Sequence, residues 1–122
     1  MSRRLVLLAL VLAAVAPAAF GQTFTPQSPA GLSVSFTSER AGGTRVLVFG
    51  EVKNANLTPA QRIVLLAEGL DQDGRVVSRA RGYVLGVVPS RGAAPFEIRI
   101  LASGSERRYR VQIESFEFQV GN

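Results

Sequence analysis

Cysteine and histidine are both absent from the 122 residues of this chain. Without histidine, neither a Ser-His-Asp nor a Cys-His catalytic group can form, and no imidazole is available to ligate a metal. Without cysteine there is no disulfide, no thiol nucleophile and no lipid attachment of the bacterial lipoprotein kind. The sequence therefore predicts a protein that is not an enzyme, has no cofactor and is held together by its hydrophobic core alone.

Any catalytic alternative would depend on carboxylates. Asp71 and Asp73 are the best pair, but both lie on one turn, where nothing separates their pKa values. Asp71-Gln72-Asp73-Gly74 also resembles the beginning of a calcium loop, although Arg75 follows where further oxygen ligands are required. The favoured interpretation is a hairpin turn in which Asp71 accepts hydrogen bonds from neighbouring backbone N–H groups.

The N-terminal segment has the three parts of a secretory signal peptide. Ser2-Arg3-Arg4 is basic, residues 5–16 form an apolar run, and small residues precede Gln22 at the positions that a signal peptidase reads. We expect a signal peptide over residues 1–21, cleaved after Gly21. The alternative, a membrane anchor, is disfavoured because about 20 apolar residues are needed to span a bilayer. The protein is then exported, periplasmic or secreted, and meets the membrane only through the transient signal peptide.

The net charge is moderately positive. The full chain carries +5, and removing the two arginines of the signal peptide leaves 12 basic and 9 acidic side chains, or +3. Nucleic-acid binding would require a higher charge and exposed stacking aromatics, so it is not expected. A solvated sheet edge that resists edge pairing is the favoured role for the clustered arginines, with attachment to a polyanionic surface as the alternative. These arginines are Arg75, Arg79, Arg81, Arg107, Arg108 and Arg110.

The remaining chain has the pattern of an all-β domain. Residues 22–29 contain two prolines and predict a flexible lead-in, so the folded domain is expected over residues 30–122. Apolar residues there alternate with polar ones in short runs bounded by Gly, Pro, Asn and Asp, which predicts six or seven strands of a β-sandwich. The runs are residues 32–37, 45–53, 62–71, 75–85, 95–101 and 107–120. A helix over residues 60–70 is the less favoured alternative.

Several local features are expected within these strands. The strand over residues 45–53 is apolar on both faces and should be central, with Gly50 marking a bulge or the close approach of another side chain. Asp73-Gly74 predicts a two-residue type I′ turn. The apolar phase slips at Glu114-Ser115, which predicts a bulge or a break in the strand. Turns are expected over residues 39–44 and 88–92.

The order of these features resembles a known family. Gly50-x-Val52-x-Asn54, then Asp71-x-Asp73-Gly74, Val88-Pro89 and Pro95-Phe96-x-Ile98 resemble the FxLYD-type domain over residues 45–113. Of the namesake Phe-x-Leu-Tyr-Asp, which falls on residues 67–71, the aspartate is present. The resemblance implies an immunoglobulin-like antiparallel β-sandwich. It also implies an accessory or binding role and no catalytic residues.

We therefore expect a non-catalytic binding or accessory module of the bacterial cell envelope, whose partner is an envelope protein or a cell-surface component. Sandwich domains present sheet edges and end loops to partners, here residues 54–61 and 88–94. The candidate contacts are Arg79, Arg81 and Arg91. The alternative is an inhibitor or chaperone-like regulator of an exported enzyme, for which Arg91 in an exposed loop would be the feature.

Overall fold

The structure, a computed structural model, describes the backbone of residues 6–8, 13–17 and 22–24 and, with side chains, residues 30–120. These described residues contain ten strands and no helix. In chain order the strands are β1 (Val6–Leu8), β2 (Ala13–Pro17), β3 (Gln22–Phe24), β4 (Leu32–Gly42), β5 (Arg45–Asn54), β6 (Ala60–Leu70), β7 (Val76–Tyr83), β8 (Val87–Val88), β9 (Ala93–Leu101) and β10 (Arg108–Phe118).

The strands form two antiparallel sheets. Sheet A has the order β1-β10-β6-β7, with β2 also pairing with β10 and β8 pairing with β6; sheet B has the order β3-β4-β5-β9. From β4 onward the chain crosses between the sheets after β5, after β8 and after β9, so neighbouring strands are often distant in sequence. The all-β, immunoglobulin-like sandwich is thereby confirmed, with seven strands from β4 to β10. The strand prediction for residues 60–70 is confirmed against the helix.

The core is built from the side chains that alternate inward along each strand. On β9, Phe96, Ile98 and Ile100 are buried, whereas Glu97 and Arg99 between them are exposed. Burying each side chain of this size stabilises the fold by roughly 1.5–3 kcal/mol. The period-2 pattern therefore determines which face of each strand turns towards the core. Among the described residues the largest fully buried side chains are Phe36, Phe116, Leu32, Ile63, Leu65, Ile98, Ile100 and Ile113.

Gly50 allows two strands to approach closely at the centre of sheet B. As predicted, β5 is a central strand, lying between β4 and β9. Gly50 stands opposite Phe36 on β4 and Phe96 on β9 without a register shift, so the bulge alternative is wrong. A Cβ atom at this position would lie 1.9 Å from the backbone oxygen of Ser35. The close approach is therefore real, but it involves backbone rather than another side chain.

The pairing of β10 with β6 contains two irregularities. The register shifts between Ile113 and Ser115, which leaves Glu114 as the extra residue and confirms the predicted bulge. A second shift, between Ser115 and Glu117, coincides with a positive φ of 53° at Arg62 on β6. This conformation is unfavourable for a residue with a side chain, and bulges are where it is commonly found.

The hairpin between β6 and β7 differs from the predicted type I′ turn. Such a turn requires positive φ at both central residues, but only Gly74 has one, at 82°. The amide of Gly74 donates to the carbonyl of Asp71 over 3.0 Å, and that of Asp71 donates to the carbonyl of Arg75 over 2.9 Å. The connection is therefore a three-residue loop in which a type I turn is followed by a left-handed glycine.

Other strand ends also differ from the sequence prediction. β4 continues to Gly42, so the connection to β5 is shorter than the predicted turn over residues 39–44. β7 ends at Tyr83, before residue 85, and the short strand β8 pairs with the beginning of β6, which the sequence analysis missed. Two residues are too few to show a period-2 pattern, so no sequence signal distinguishes β8 from a loop.

The three N-terminal strands pair with β10 and β4. β1 and β2, within the predicted signal peptide, pair with β10 along the edge opposite β6. β3 falls in the predicted lead-in and pairs with residues 35–37 of β4. The basic residues 2–4 and the cleavage position at Gly21 lie outside the described residues, so the signal peptide and its cleavage stay predictions.

Candidate functional site

Arg79 lies in a row of charges that crosses three strands of sheet A. Glu68 on β6 stands opposite Arg79 on β7 and Arg110 on β10. Only 4% of Glu68 is exposed. Its carboxylate accepts hydrogen bonds from Arg110 Nε at 3.0 Å and Gln112 Nε2 at 3.3 Å, and Arg79 Nη2 lies 3.6 Å away. Arg79 is therefore paired with a carboxylate that already has a closer cationic partner, Arg110.

Arg81 forms the second charged pair on this face. Its Nε and Nη2 donate to the two carboxylate oxygens of Glu114 over 2.6 and 2.8 Å. This bidentate interaction lowers the pKa of Glu114 and raises the pKa of Arg81. Glu114 is the extra residue of the bulge in β10, and its contact with Arg81 spans β6. The sequence indicates the bulge and the arginine, but no local pattern indicates that Glu114 and Arg81 pair.

The basic cluster expected from the sequence is thus largely neutralised. Four of its six arginines have carboxylate partners, with Arg75 contacting both Asp71 and Asp73. β7 lies at the end of sheet A, as the alternating arginines predicted. The exposed pairs of Arg75 and Arg81 contribute little to stability, but they keep an edge strand charged and hydrated.

An open apolar groove of about 1050 Å³ runs beside β7 and over the outer face of sheet B. Its floor includes Leu47, Phe49 and Pro95, and its rim includes Tyr83 and Leu85, which are 60% and 89% exposed. Gly82 allows β7 to pack closely against β9 beside the groove, because a Cβ atom there would meet Ile98 Cγ1 at 2.4 Å. Four charged side chains also line the groove: Glu39, Arg81, Glu97 and Arg99.

The two end loops singled out in the sequence are joined to each other. Asn54, which is 2% exposed, donates through Nδ2 to the carbonyl of Thr58 over 2.9 Å and accepts from the amide of Asn56 over 2.9 Å. The amide of Asn54 donates to Gly92, and the amide of Arg91 donates to Asn56. Asn54 and Asn56 therefore fix the geometry of the turn and also tie residues 54–59 to residues 89–92.

Arg91 is presented at the tip of this joined end. It has a φ of 53°, and the amide of Gly92 closes the turn by donating to the carbonyl of Pro89 over 3.0 Å. A left-handed conformation costs an arginine roughly 1–2 kcal/mol, so the surrounding hydrogen bonds must hold it in place. Arg91 and Lys53 line a shallow depression of about 490 Å³. Nearby in the other loop, Leu57 is 76% exposed.

The three sequence-predicted contacts therefore belong to two surfaces. Arg79 and Arg81 lie on the outer face of sheet A, whereas Arg91 lies on the surface formed by residues 54–59 and 89–92, which we call the loop end. Leu57, Tyr83 and Leu85 are exposed apolar groups that were not predicted from the sequence. Leu57 could have been identified from the sequence, because it is an apolar residue within a polar connection.

Asp71 has the hairpin role favoured from the sequence. Its Oδ1 accepts from the amides of Asp73 and Arg75, both over 2.9 Å. The bond from the Arg75 amide is the main cause of a lowered Asp71 pKa, which burial only partly opposes. A general acid requires the opposite shift. Within residues 30–120, no group of three or more Cys, His, Asp or Glu side chains is placed to hold a metal ion.

Glu106 is the most strongly perturbed carboxylate among the described residues. Burial disfavours its charged form, but the Ser78 hydroxyl and the amides of Ser103 and Gly104 donate to it over 2.5, 2.7 and 2.8 Å. These bonds lower its pKa to about 2. Glu106 thereby closes the turn before β10 and fastens it to β7.

We expect Glu106→Gln to reduce the free energy of unfolding by about 2–3 kcal/mol near neutral pH, because an amide cannot accept all three bonds. Because the pKa of Glu106 is lower in the folded state than in the unfolded state, its ionised carboxylate stabilises the fold at pH values above the unfolded-state pKa of 4.5. This contribution disappears as the pH falls from 4.5 towards the folded-state pKa of about 2. Urea unfolding across this range should show the wild-type and Glu106→Gln values converging at low pH. A difference that stays constant with pH would contradict the role of the ionised carboxylate.

No family model matches this chain, and no curated protein is significantly similar to it. One solved structure, the enzymatically active domain of bacteriophage CBA120 tailspike protein 4, aligns over 88% of this chain and 18% of its own length, with 12% identity and a TM-score of 0.30. This chain thus spans under a fifth of that protein, and a similarity of this extent carries no functional argument. No helix among the described residues is long and apolar enough to cross a membrane.

Proposed function

We propose that this chain is an exported, non-catalytic binding or accessory module of the bacterial cell envelope. In this proposal the signal peptide of residues 1–21 directs the chain to the periplasm or the outside of the cell. The partner is an envelope protein or a cell-surface component, and the contact is made by the loop end.

The observation that carries this proposal is the rigid presentation of Arg91 beside an exposed leucine. A backbone conformation that is unfavourable for arginine is held by hydrogen bonds from and to the neighbouring loop. Strained residues of this kind are concentrated at functional sites. Leu57 supplies an apolar group and Arg91 supplies a cation, and residues 54–59 are already ordered by Asn54. A partner would therefore bind without an additional cost for ordering the loops.

The loop end can be tested by site-specific photo-crosslinking of the exported chain in cells. Leu57 and Leu101 form a matched pair of positions, because they are 76% and 71% exposed but Leu101 lies at the far end of β9 from Arg91. We expect a crosslinker at position 57 to give one discrete adduct that Arg91→Ala weakens, and a crosslinker at position 101 to give none. Equal adducts from both positions, or none from position 57, would contradict the proposal.

The outer face of sheet A provides the comparison site. Arg79→Glu with Arg81→Glu should leave the adduct at position 57 unchanged, because both arginines are engaged with Glu68 and Glu114. Loss of the adduct in this double variant, with the fold intact by circular dichroism, would move the contact from the loop end to β7.

Inhibition or regulation of an exported enzyme is the second candidate, favoured by the exposure of Arg91 in a turn. The geometry supports it less well, because a protease binds an inhibitor segment as an extended strand, whereas φ at Arg91 is 53°. An inhibition assay against arginine-specific proteases separates the two functions: inhibition that Arg91→Ala abolishes would favour the regulator.

A further inference from the structure

The edge of β10 that faces away from β6 is covered by the segment that export removes. β1 pairs with residues 115–117 and β2 pairs with residues 108–112 of β10. Both covering strands lie within residues 1–21. Cleavage after Gly21 would therefore leave most of an eleven-residue strand with unpaired backbone N–H and C=O groups along one edge.

From Arg108 to Ile113 the pairing of β10 with β6 is regular, and its bulge follows at Glu114. Arg108 and Arg110 alternate along β10 as Arg79 and Arg81 do along β7, but they are partly buried, whereas those of β7 are exposed. β10 has no proline and no run of like charge, and its inward side chains Tyr109, Val111 and Ile113 are apolar. A long strand of this kind is a template for a further strand.

The outward residues of β10 are arranged to match a second copy of the same strand. They run Arg108, Arg110, Gln112, Glu114, with positive charge at one end and negative charge at the other. In an antiparallel pair with Gln112 on the two-fold axis, Arg110 faces the partner's Glu114, and the same contact is repeated by symmetry. On the inner side, Val111 then faces the partner's Ile113.

The charged groups have unused hydrogen-bonding capacity for such contacts. A guanidinium has five N–H donors, and Arg110 directs Nε and Nη2 to Glu68. A carboxylate has about four acceptor sites, and Arg81 uses one on each oxygen of Glu114. Donors on Arg110 and acceptor sites on Glu114 therefore remain for a cross-strand contact in addition to the existing pairs.

We infer that the processed chain forms a symmetric homodimer through antiparallel pairing of β10 with β10 of a second copy. The pairing would join the two A sheets into one continuous sheet and leave both loop ends free. The inference rests on the proposed function, because the edge becomes available only after export and cleavage.

The test begins with the full-length chain expressed in an exporting bacterium. Intact mass of the recovered protein establishes whether cleavage has occurred after Gly21, and light scattering after size exclusion then gives the mass in solution. We expect the processed chain at twice its own mass. An unprocessed chain would overturn both the export proposal and the dimer, whereas a processed monomer would overturn the dimer alone.

Charge variants locate the interface. Glu114→Arg places Arg110 opposite an arginine twice per dimer, and we expect the dissociation constant to rise at least about tenfold. Glu97→Arg is the matched control, because it makes the same charge change at an exposed position on β9. A dimer that Glu114→Arg leaves unchanged, or that Glu97→Arg weakens equally, would overturn the inference, as would open-ended polymers.

Mixing two charge variants provides the most specific test of the interface. Arg110→Glu should also be monomeric, yet an equal mixture of Arg110→Glu with Glu114→Arg restores both opposite-charge contacts and should yield a heterodimer. Because Arg110 also contacts Glu68, circular dichroism must first show that Arg110→Glu is folded. If it is not, the contrast between Glu114→Arg and Glu97→Arg decides the result.

Discussion

Replacing Gly50 with alanine is expected to reduce the free energy of unfolding by at least about 3 kcal/mol. The added Cβ would lie 1.9 Å from the oxygen of Ser35 and 2.7 Å from the Cα of Phe36. Both are backbone atoms of β4, so no side-chain rotation can relieve the overlap. The central pair of sheet B would have to separate, and that disturbs the packing of Phe36, which is fully buried. Urea unfolding followed by circular dichroism measures the change.

Gly86→Ala is the control for this substitution. Gly86 has a φ of 75°, but a Cβ atom there would meet nothing within 4 Å. The cost should be limited to the backbone conformation, about 1 kcal/mol. If Gly50→Ala were no more destabilising than Gly86→Ala, the close approach of β4 and β5 would not be a constraint on the fold.

Replacing Arg110 with alanine should cost about 3 kcal/mol, because it leaves the buried Glu68 carboxylate without its nearest cation. Gln112 would remain at 3.3 Å and Arg79 at 3.6 Å, which compensates only in part. Urea unfolding near neutral pH is again the measurement. Removing only one member of a buried ion pair is generally more costly than replacing both members with apolar groups.

Two variants test this explanation. Arg79→Ala removes the more distant and more exposed cation and should cost less than about 1 kcal/mol. Glu68→Leu combined with Arg110→Leu removes both charges and should recover most of the stability that Arg110→Ala loses. Equal losses for Arg79→Ala and Arg110→Ala would show that Glu68 does not depend on Arg110 in particular.

These charge interactions explain why the arginine-rich strand is a poor guide to function from sequence alone. Arg79 and Arg81 were singled out because they alternate along one strand, and that alternation did identify an edge of the sheet. Their partners, Glu68 and Glu114, lie on β6 and β10, and no local pattern indicates that these strands are neighbours. Arg91 was singled out for its place in a turn, but its positive φ depends on hydrogen bonds with the other loop.

The sequence by itself determined the six longer strands from β4 to β10, though not β8 or every strand end, and it determined where β10 bulges. These properties are local: side chains alternate with a period of two, and an inserted residue shifts that period wherever it occurs. Only the tertiary structure decided the order of the strands, the type of the hairpin at Gly74, the contact that requires Gly50 and the joining of the two end loops. Those features depend on residues tens of positions apart, whose proximity follows from burying both sheets against one core.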